Sequence, residues 1–388
     1  MKLLTDLDCL APPLTGIGHY TRELTEQLIN QHAISDITAM FHGRFIQHEE
    51  VCRLLNTQAV TTDGKKSGLL TRIKPFVRQL PFARRAWQRT KAHRFQTLSQ
   101  THGHDVYWEP NFILKPSRCP SVVTIYDLSP LAHPELHPKS RVVQLKRALA
   151  TSVHQADRVI TISQFTAQAL DEHLGVPKDK IRLVPPAAAD AFHPYDHQKL
   201  QVVRQRYSLP ERFILSVGTL EPRKNLSRLL SAYERLPAAL RQQWPLVCVG
   251  AKGWNDATLS SDIHRLEAQG ELIRLGYVPQ RDLPVLTAAA GLMAYMSFYE
   301  GFGMPVVESL ACGVPVLTSR GTAMEEVAGH CAFYADPLDV DDIAHSLQMA
   351  LHDEPKRQQL SRAGPAQADR YDWKSSASTL YQTLDELR

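Results

Sequence analysis

The sequence lacks any long apolar run, and this excludes a membrane-spanning helix as its organising feature. No segment of the 388 residues offers about 18 consecutive apolar residues. Near the N-terminus, Asp6 and Asp8 interrupt the stretch that begins MKLL, so this stretch predicts a first strand rather than a signal peptide. We therefore expect a cytoplasmic protein.

The sequence is equally poor in metal-binding patterns. Its six cysteines are scattered and form no CxxC pair, which is typical of reduced thiols in an intracellular protein. Asp6-Leu7-Asp8 has the letters of a metal-binding Asp-x-Asp, but it is interpreted as the end of the first strand. Residues 339–342 are expected to cap a helix. We predict no metal site and no bound cofactor.

One stretch of the chain has no acidic residue. Residues 64–104 carry ten Lys or Arg, whereas the rest of the chain has six more acidic than basic residues. Apolar residues recur within it at helical spacing, namely Leu69, Ile73, Phe76, Val77 and Leu80. Residues 65–94 therefore predict either an ordinary amphipathic helix or one that lies on an anionic membrane surface. No nucleic-acid partner is expected, because no recognised binding motif accompanies the charge.

Length and pattern together predict two α/β domains. The chain is longer than one ordinary domain, and short β-branched runs alternate with segments of helical periodicity. Such alternation indicates parallel sheets with helices on both faces. The expected strands are residues 1–5, 106–109, 121–126, 158–163, 181–184, 213–217, 246–249, 273–275, 292–295 and 314–318.

A polar, proline-bearing stretch over 185–207 is the expected boundary between the domains, which are predicted to span residues 1–190 and 208–370. In open parallel sheets, ligands bind beyond the carboxyl ends of the strands, where the strand order reverses. Two facing domains would therefore bring two such edges together across one cleft.

Residues 297–318 are the most informative segment. Glu300 and Glu308 stand eight residues apart and flank two glycines and a proline. Because proline favours the first helical turn, a helix is expected to begin near Met304 or Pro305. The free N–H groups at such a helix start suit an anion, so the two carboxylates fit a ligand with a central diphosphate and diols at both ends. The alternative is a surface loop before a solvated helix.

A second segment, residues 215–225, places two cations after a strand. Gly218 precedes Arg223 and Lys224, and Asn225 is expected to cap the helix that follows. Arginine can bind a diphosphate in a bidentate manner. Adjacent cations also occur at solvated helix starts, but this segment is predicted to reach the same sheet edge as the glutamate loop.

A Gly-Ile-Gly turn, formed by Gly16 and Gly18, is expected between the first strand and a helix. It lacks the third glycine of the dinucleotide-binding fingerprint, because Thr21 occupies that position. The pattern therefore does not favour NAD, although a backbone amide of Gly18 can still approach phosphate oxygens.

In this order, GIGHYTREL, EPRKN and the two-glutamate loop resemble glycosyltransferase family 4, and the ending YDWKSSASTLYQTL is similar to that family's closing helix. The resemblance covers nearly the whole chain. It implies the GT-B fold, in which two Rossmann-like domains face each other across a cleft and a last helix, about residues 373–388, packs back on the N-terminal domain. It also implies a retaining, metal-independent hexosyltransferase that uses a nucleotide-diphosphate sugar.

The resemblance further implies roles for the motif residues. Arg223 and Lys224 would hold the donor diphosphate and stabilise the negative charge that develops on it. Glu308 would accept hydrogen bonds from the ribose hydroxyls, and Glu300 would bind the donor sugar. Backbone groups would complete the site, those near the sugar coming from Phe302, Gly303 and Met304, and those near the base from Tyr277 and Val278.

One position departs from the family pattern. Many relatives carry His-Asp where this chain has Tyr126-Asp127, and Asp127 is expected to orient the acceptor or the sugar. Tyrosine keeps a hydroxyl but loses the proton chemistry of imidazole. Either the donor is a GDP-linked 6-deoxyhexose such as GDP-rhamnose, or the substitution is neutral.

Donor and acceptor follow from overall resemblance alone. The resemblance implies GDP-mannose or a related GDP-sugar as donor, and a saccharide or polyprenyl-diphosphate-linked acceptor in bacterial lipopolysaccharide O-antigen assembly. The expected location is the inner face of the cytoplasmic membrane. Two other classes stay open, namely a sugar-nucleotide epimerase on the same fold and a non-catalytic nucleotide-sugar-binding protein.

Overall fold

The computed structural model contains two α/β domains, each built on one sheet. It describes residues 1–12, 14–31, 34–60, 95–97, 103–137, 139–251 and 257–388. The basic segment 65–94 and its expected helix lie outside the described residues, so the choice between its two interpretations stays a prediction.

The N-terminal sheet has seven strands in the order β3-β2-β1-β4-β5-β6-β7. All neighbours are parallel except the hairpin of β2 and β3. The strand order reverses between β1 and β4, which places the carboxyl ends of these strands at a ligand-binding edge. The bounds are β1 Lys2–Asp6, β2 Asp36–Phe41, β3 Arg44–Ile46, β4 Val106–Glu109, β5 Ser121–Ile125, β6 Arg158–Thr161 and β7 Ile181–Leu183.

Helices cover this sheet because their apolar residues recur on one face and bury it against the strands. In α1, for example, Tyr20, Leu24 and Leu28 are buried in the core. The helices described in this domain are α1 Gly16–Asn30, α2 His48–Val60, α3 Ser129–Ala132, α4 Lys139–Gln155 and α5 Gln164–Leu174.

The C-terminal sheet has six parallel strands in the order β10-β9-β8-β11-β12-β13, with its own reversal between β8 and β11. The strands are β8 Ile214–Val217, β9 Leu246–Val249, β10 Leu272–Gly276, β11 Leu292–Tyr295, β12 Val316–Ser319 and β13 Ala332–Ala335. Its helices are α7 Leu226–Glu234, α8 Ala238–Gln243, α9 Ala257–Ala268, α10 Leu283–Ala288, α11 Met304–Ala311, α12 Ala323–Ala328, α13 Val340–His352 and α14 Glu354–Ala368.

Two helices join the domains. The expected boundary stretch contains α6 His197–Arg206, whose last turn contacts the C-terminal domain where Arg206 pairs with Asp282 at 2.8 Å. The final helix, α15 Trp373–Asp385, packs on α1 of the N-terminal domain, as the family resemblance implies. There the Ser376 hydroxyl donates a hydrogen bond to the Pro185 carbonyl at 2.6 Å.

The ten expected strands are confirmed, and no end differs from its predicted position by more than two residues. Strands β2, β3 and β13 were not predicted from the sequence. β3 has three residues at a sheet edge, and alanine, which carries little strand signal, opens and closes β13.

Helix starts gave mixed outcomes. Helix α11 begins at Met304 and Asp339 caps α13, both as predicted. The prediction for Asn225 was wrong in its mechanism, because its side-chain amide donates to the Pro337 carbonyl and does not cap α7. The prediction of a Gly-Ile-Gly turn before the helix was also wrong, since Gly16 is already the first residue of α1.

Candidate active site

A cleft of about 2130 Å³ lies between the two domains. Its walls include residues that follow β4, β5, β8 and β11, so both ligand-binding sheet edges contribute to it. The volume exceeds the roughly 300–1,000 Å³ of a site for one small molecule. It has room for two substrates side by side.

Ten of the sequence-predicted site residues line this cleft. Five come from the N-terminal domain or from the cation motif after β8, and the other five follow β11 or belong to α11. They are Gly16, Tyr126, Asp127, Arg223, Lys224, Glu300, Phe302, Gly303, Met304 and Glu308.

Four predicted residues do not line it. A side-chain carbon at Gly18 would lie 2.6 Å from the Cys9 carbonyl oxygen, so this glycine permits close packing behind the cleft. Gly218 lies against Gly250, where a side-chain carbon would meet the Gly218 carbonyl at 1.9 Å. Tyr277 is 73% exposed and Val278 is buried, and Gln280 reaches the cleft wall instead. The expected contact of Tyr277 and Val278 with the nucleotide base stays a prediction.

Glu300 holds both predicted cations. Its Oε2 accepts a hydrogen bond from Arg223 Nη1 at 2.6 Å, and its Oε1 accepts one from Lys224 Nζ at 2.7 Å. Arg223 Nη1 also donates to the Tyr299 carbonyl at 2.8 Å. The motif after β8 and the loop after β11 therefore meet in one charged cluster, which carries one net positive charge from two cations and one anion.

The cluster perturbs the pKa of each member. Burial by itself would raise the pKa of Glu300, but Lys224 and Arg223 lower it to about 2. Burial would lower the pKa of Lys224 and Arg223, but the Glu300 carboxylate raises both. All three groups are therefore charged at neutral pH.

Two residues of this cluster were missed from the sequence. The Tyr295 hydroxyl accepts from Lys224 Nζ at 2.6 Å and donates to Glu300 Oε1 at 3.0 Å. The Ser297 hydroxyl donates to the same oxygen at 2.8 Å. Tyr295 could have been identified from its position, because it is a polar residue at the carboxyl end of a central strand.

Glu308 lies on the same wall, one turn into α11, which places it beside the helix start. Burial raises its pKa to about 8. At the start of the helix, Gly303 has φ +107°, a left-handed conformation that favours glycine. In the described part of the chain, the N–H groups of Phe302, Gly303 and Met304 have no hydrogen-bond partner, and they suit an anion.

The opposite wall carries Tyr126 and Asp127. The Tyr126 hydroxyl donates to the Pro110 carbonyl at 2.7 Å. Asp127 Oδ1 accepts from both the N–H and the hydroxyl of Ser129, at 2.9 and 2.7 Å. The charge of Asp127 also contributes to raising the pKa of Arg223, so the two walls interact across the cleft.

The domains touch beside this site. A side-chain carbon at Gly301 would lie 1.8 Å from the Tyr126 carbonyl oxygen, so the two backbones approach closely here. The Tyr299 ring packs against Phe165 and His133, at 5.2 and 5.4 Å between centroids. These contacts join the glutamate loop to the N-terminal domain.

Asp6 and Asp8 have structural roles, which confirms their interpretation as a strand end. Asp6 pairs with Lys115 at 2.9 Å, and Asp8 Oδ1 accepts the His42 N–H at 2.6 Å. Over the described ranges, no group of three His, Cys, Asp or Glu side chains is arranged to hold a metal ion. Within the same ranges, no helix is long and apolar enough to cross a membrane.

Comparison with family models divides the chain in two. Residues 14–190 match the model "Glycosyltransferase Family 4", and residues 202–367 match "Glycosyl transferases group 1". Each match contains one of the two sheets, apart from the first strand.

Two curated relatives and two solved structures are similar to the chain. O-antigen chain mannosyltransferase B of Escherichia coli is 34% identical over the full length of both chains. Serotype-specific mannosyltransferase WbdA of the same organism is 32% identical over 69% of this chain, which spans 33% of that larger protein. Anabaena HepE in complex with UDP-glucose has a TM-score of 0.72 at 19% identity, with both chains covered completely. WaaG, a glycosyltransferase involved in lipopolysaccharide biosynthesis, has a TM-score of 0.70 at 16% identity, covering 100% of this chain and 99% of WaaG. The GT-B fold is thereby confirmed.

Proposed function

Because the chain belongs to glycosyltransferase family 4, we propose that it transfers mannose from GDP-mannose, with retention of configuration, to a saccharide or polyprenyl-diphosphate-linked acceptor in O-antigen synthesis. The full-length relative is an O-antigen mannosyltransferase, which supports the sugar and the process. HepE and WaaG support the fold, and HepE was solved with a nucleotide sugar.

One observation carries the proposal. Arg223, Lys224, Glu300 and Glu308 come from two motifs far apart in sequence, and they converge on one cleft wall beside the start of α11. This arrangement matches the parts of a nucleotide sugar in order. The cations suit the diphosphate, Glu308 suits the ribose hydroxyls, and Glu300 with the nearby N–H groups suits the hexose.

Charge development explains how these residues accelerate transfer. Breaking the bond between the anomeric carbon and the phosphate oxygen leaves negative charge on the diphosphate. Arg223 and Lys224 are held in place by Glu300, so they stabilise that charge without reorganising. Their fixed positions support transfer without a metal ion or cofactor, and an unchanged rate in excess EDTA tests this point.

The acceptor hydroxyl completes the reaction from the face that the diphosphate leaves. Its oxygen bonds to the anomeric carbon as the bond between that carbon and the phosphate oxygen breaks. Its proton passes to the departing phosphate. Asp127 lies on the opposite wall and orients the acceptor or the sugar. Contact between the two domains excludes water and limits hydrolysis of the donor.

A membrane location at the cytoplasmic face belongs to the same proposal. A lipid-linked acceptor is presented at a membrane, and the basic segment 65–94 supplies charge that anionic lipids attract. Flotation with anionic liposomes tests it, with binding at low salt and release at high salt as the expected result. Failure to bind at low salt would refute the membrane location.

Product analysis tests the function itself. The protein is incubated with GDP-mannose and a synthetic mannose-terminated lipid diphosphate, and the product linkage is determined by NMR. We expect an α-mannosyl product, which retains the configuration of the donor. A β-linked product would contradict retention, and release of an epimerised nucleotide sugar without acceptor would favour the epimerase. Binding of GDP-mannose without any product would favour a non-catalytic binding protein.

A GDP-linked 6-deoxyhexose is the second candidate donor. The Tyr126 hydroxyl is engaged with Pro110, so it does not offer its proton to a C6 hydroxyl. We expect GDP-rhamnose to be used at least as well as GDP-mannose if this candidate is correct. A strong preference for GDP-mannose would reject it.

A further inference from the structure

Three side chains on the acceptor-side wall are linked by hydrogen bonds in a row. Asp127, Ser129 and His137 all line the cleft. The Ser129 hydroxyl lies 2.7 Å from Asp127 Oδ1 and 3.1 Å from His137 Nε2. The Ser129 backbone N–H donates to the same carboxylate oxygen at 2.9 Å. None of the motifs identified in the sequence includes Ser129 or His137.

Hydrogen-bond chemistry fixes the direction of this row of hydrogen bonds. An ionised carboxylate only accepts hydrogen bonds, so the Ser129 hydroxyl proton points to Asp127. That hydroxyl has one proton, and its oxygen can then only accept from His137. The His137 Nε2 must therefore carry a hydrogen atom. Ser129 is 3% exposed, which shields both bonds from competing water.

This row of hydrogen bonds ends at the Asp127 carboxylate, which faces the reaction site. In the part of the chain that the structure describes, Asp127 Oδ2 has no hydrogen-bond partner, and Asp127 influences Arg223 across the cleft. Tyr126, the neighbour that replaces the family histidine, has its hydroxyl engaged with Pro110. His137 is thus an imidazole that reaches Asp127 through one intermediate side chain.

We propose that His137 is a positioning residue that acts through Ser129 to fix the orientation of the Asp127 carboxylate toward the acceptor hydroxyl. This inference rests on the proposed function, since Asp127 contacts the acceptor or sugar only if transfer takes place in this cleft. A carboxylate with two donors on one oxygen keeps the other oxygen for the substrate. Without His137, the Ser129 hydroxyl is free to rotate away from Asp127.

Kinetics of three variants test the proposal. His137→Leu should lower kcat about tenfold, the scale of a small misplacement of a substrate-orienting group, with the KM for GDP-mannose unchanged. His137→Gln should recover most of the rate, because its amide can donate to Ser129. Ser129→Ala should have the same defect as His137→Leu, and the double variant should be no worse than either. His173→Leu replaces an exposed histidine of α5 and serves as the control, with unchanged kinetics.

A spectroscopic measurement gives a readout that does not depend on activity. In protein labelled with ¹⁵N-histidine and studied above the imidazole titration range, His137 should show a proton on Nε2, and Ser129→Ala should shift that signal. A proton on Nδ1 alone would contradict the hydrogen bond from His137 to Ser129. If wild-type protein transfers mannose and His137→Leu transfers it equally well, the positioning role is wrong while the proposed function stands. If the wild type transfers no sugar, the proposed function fails, and the NMR result still decides whether His137 donates a hydrogen bond to Ser129.

Discussion

At the scale of single residues, Glu300 is the counterion of both Arg223 and Lys224 before any ligand is bound. Its carboxylate is 11% exposed and pairs with two cations that are 16% and 19% exposed. Removing one member of such a buried cluster leaves the others uncompensated. A diphosphate that enters the cleft would share Arg223 and Lys224 with Glu300 and bring a second source of negative charge.

Glu300→Gln should therefore lower stability and tighten GDP binding together. The lost counterion should reduce the free energy of unfolding by about 3 kcal/mol, measured by urea denaturation. The GDP diphosphate would then supply the missing negative charge, so calorimetry should give a lower Kd for GDP than in the wild type. Transfer activity should be lost, because the sugar loses its carboxylate partner.

Glu271→Gln is the matched control for this variant. Glu271 forms a comparably buried pair with Arg241 at 2.8 Å, and neither residue lines the cleft. The control should lose stability with no change in GDP affinity. If GDP binds Glu300→Gln more weakly than the wild type, the carboxylate does not compete with the diphosphate and this account of the cluster is wrong.

Glu308 makes donor binding depend on pH. Burial raises its pKa to about 8, so it is mostly protonated at pH 7, and ribose hydroxyls donate best to the ionised form. The Kd for GDP should fall up to about tenfold from pH 7 to pH 9, because the ionised fraction of a group with a pKa of about 8 rises from roughly one tenth to roughly nine tenths over that range. Glu308→Gln should abolish this gain.

The same carboxyl group should affect folding in the opposite sense. Because its folded pKa is raised from 4.5 to about 8, the folded state holds the proton more tightly than the unfolded state. Its contribution to stability is therefore full below pH 4.5 and is lost as the pH rises through 8. Urea denaturation of the wild type and Glu308→Gln between pH 5 and 9 measures the difference. Parallel curves for the two proteins would contradict the raised pKa.

The sequence predicted most residues of this site but not how they pair. Arg223, Lys224, Glu300 and Glu308 stand in short motifs whose residue types suit a diphosphate-linked ligand. The Lys224–Glu300 contact spans 76 residues, and nothing in either motif states that one is the counterion of the other. His137 was missed because a histidine in a loop carries no periodic signal.

At the scale of elements, the N-terminus of helix α5 contacts the C-terminal domain. Glu326 of α12 accepts the backbone N–H groups of Gln164 and Phe165, each at 2.9 Å. These groups have no partner within the helix, and a carboxylate at a helix N-terminus also interacts favourably with the helix dipole. Glu326 therefore stabilises the arrangement in which the domains are in contact.

Glu326→Gln should weaken this contact and slow the enzyme. An amide oxygen replaces two carboxylate oxygens, with an expected loss of about 1 kcal/mol. If closure is needed for transfer, kcat/KM should fall about fivefold, the rate equivalent of that energy. The measurement is steady-state kinetics with GDP-mannose and the lipid diphosphate acceptor.

Glu325→Gln is the control on the same helix. Glu325 accepts the Gly321 N–H within its own domain, so the change removes the same charge without touching α5. Its kcat/KM should match the wild type. Equal kinetics for all three proteins would show that the Glu326 contact does not support catalysis.

Sequence patterns identified most elements but not the residue pairs through which the two domains touch. Alternating β-branched runs and helical periodicity predicted ten strands, since burial on both faces of a parallel sheet produces continuous apolar runs. Strands in which alanine or polar residues interrupt the apolar run, such as β2 and β13, give a weaker signal. Glu326 looks like an ordinary solvated helix residue, because its partners are backbone atoms 161 and 162 residues away.

At the scale of the whole molecule, the structure has its two domains in contact around the cleft. At Gly301 there is no room for a side chain beside the Tyr126 carbonyl. Helix α15 begins in this region, and its Trp373 packs edge-to-face on Tyr20 of α1 at 5.8 Å. Relative motion of the domains must therefore separate or restore the contact at Gly301.

Gly301→Ala should prevent the domains from reaching this arrangement. The added methyl group would lie 1.8 Å from the Tyr126 oxygen, so the backbones must separate. We expect a larger radius of gyration by small-angle X-ray scattering and a loss of kcat of about a hundredfold, the scale of a 1 Å misplacement at a reacting centre. GDP binding to the C-terminal domain should be retained, and a variant with wild-type kcat would refute the need for this contact.

The central claim is that two cations and two carboxylates of the C-terminal domain bind one diphosphate-linked sugar. A crystal structure of the protein with GDP-mannose tests this claim most directly. It should have the diphosphate within hydrogen-bond distance of Arg223 and Lys224, the ribose at Glu308, and the mannose beside Glu300 and the start of α11. A diphosphate bound elsewhere in the cleft, with Arg223 and Lys224 still paired only to Glu300, would contradict it.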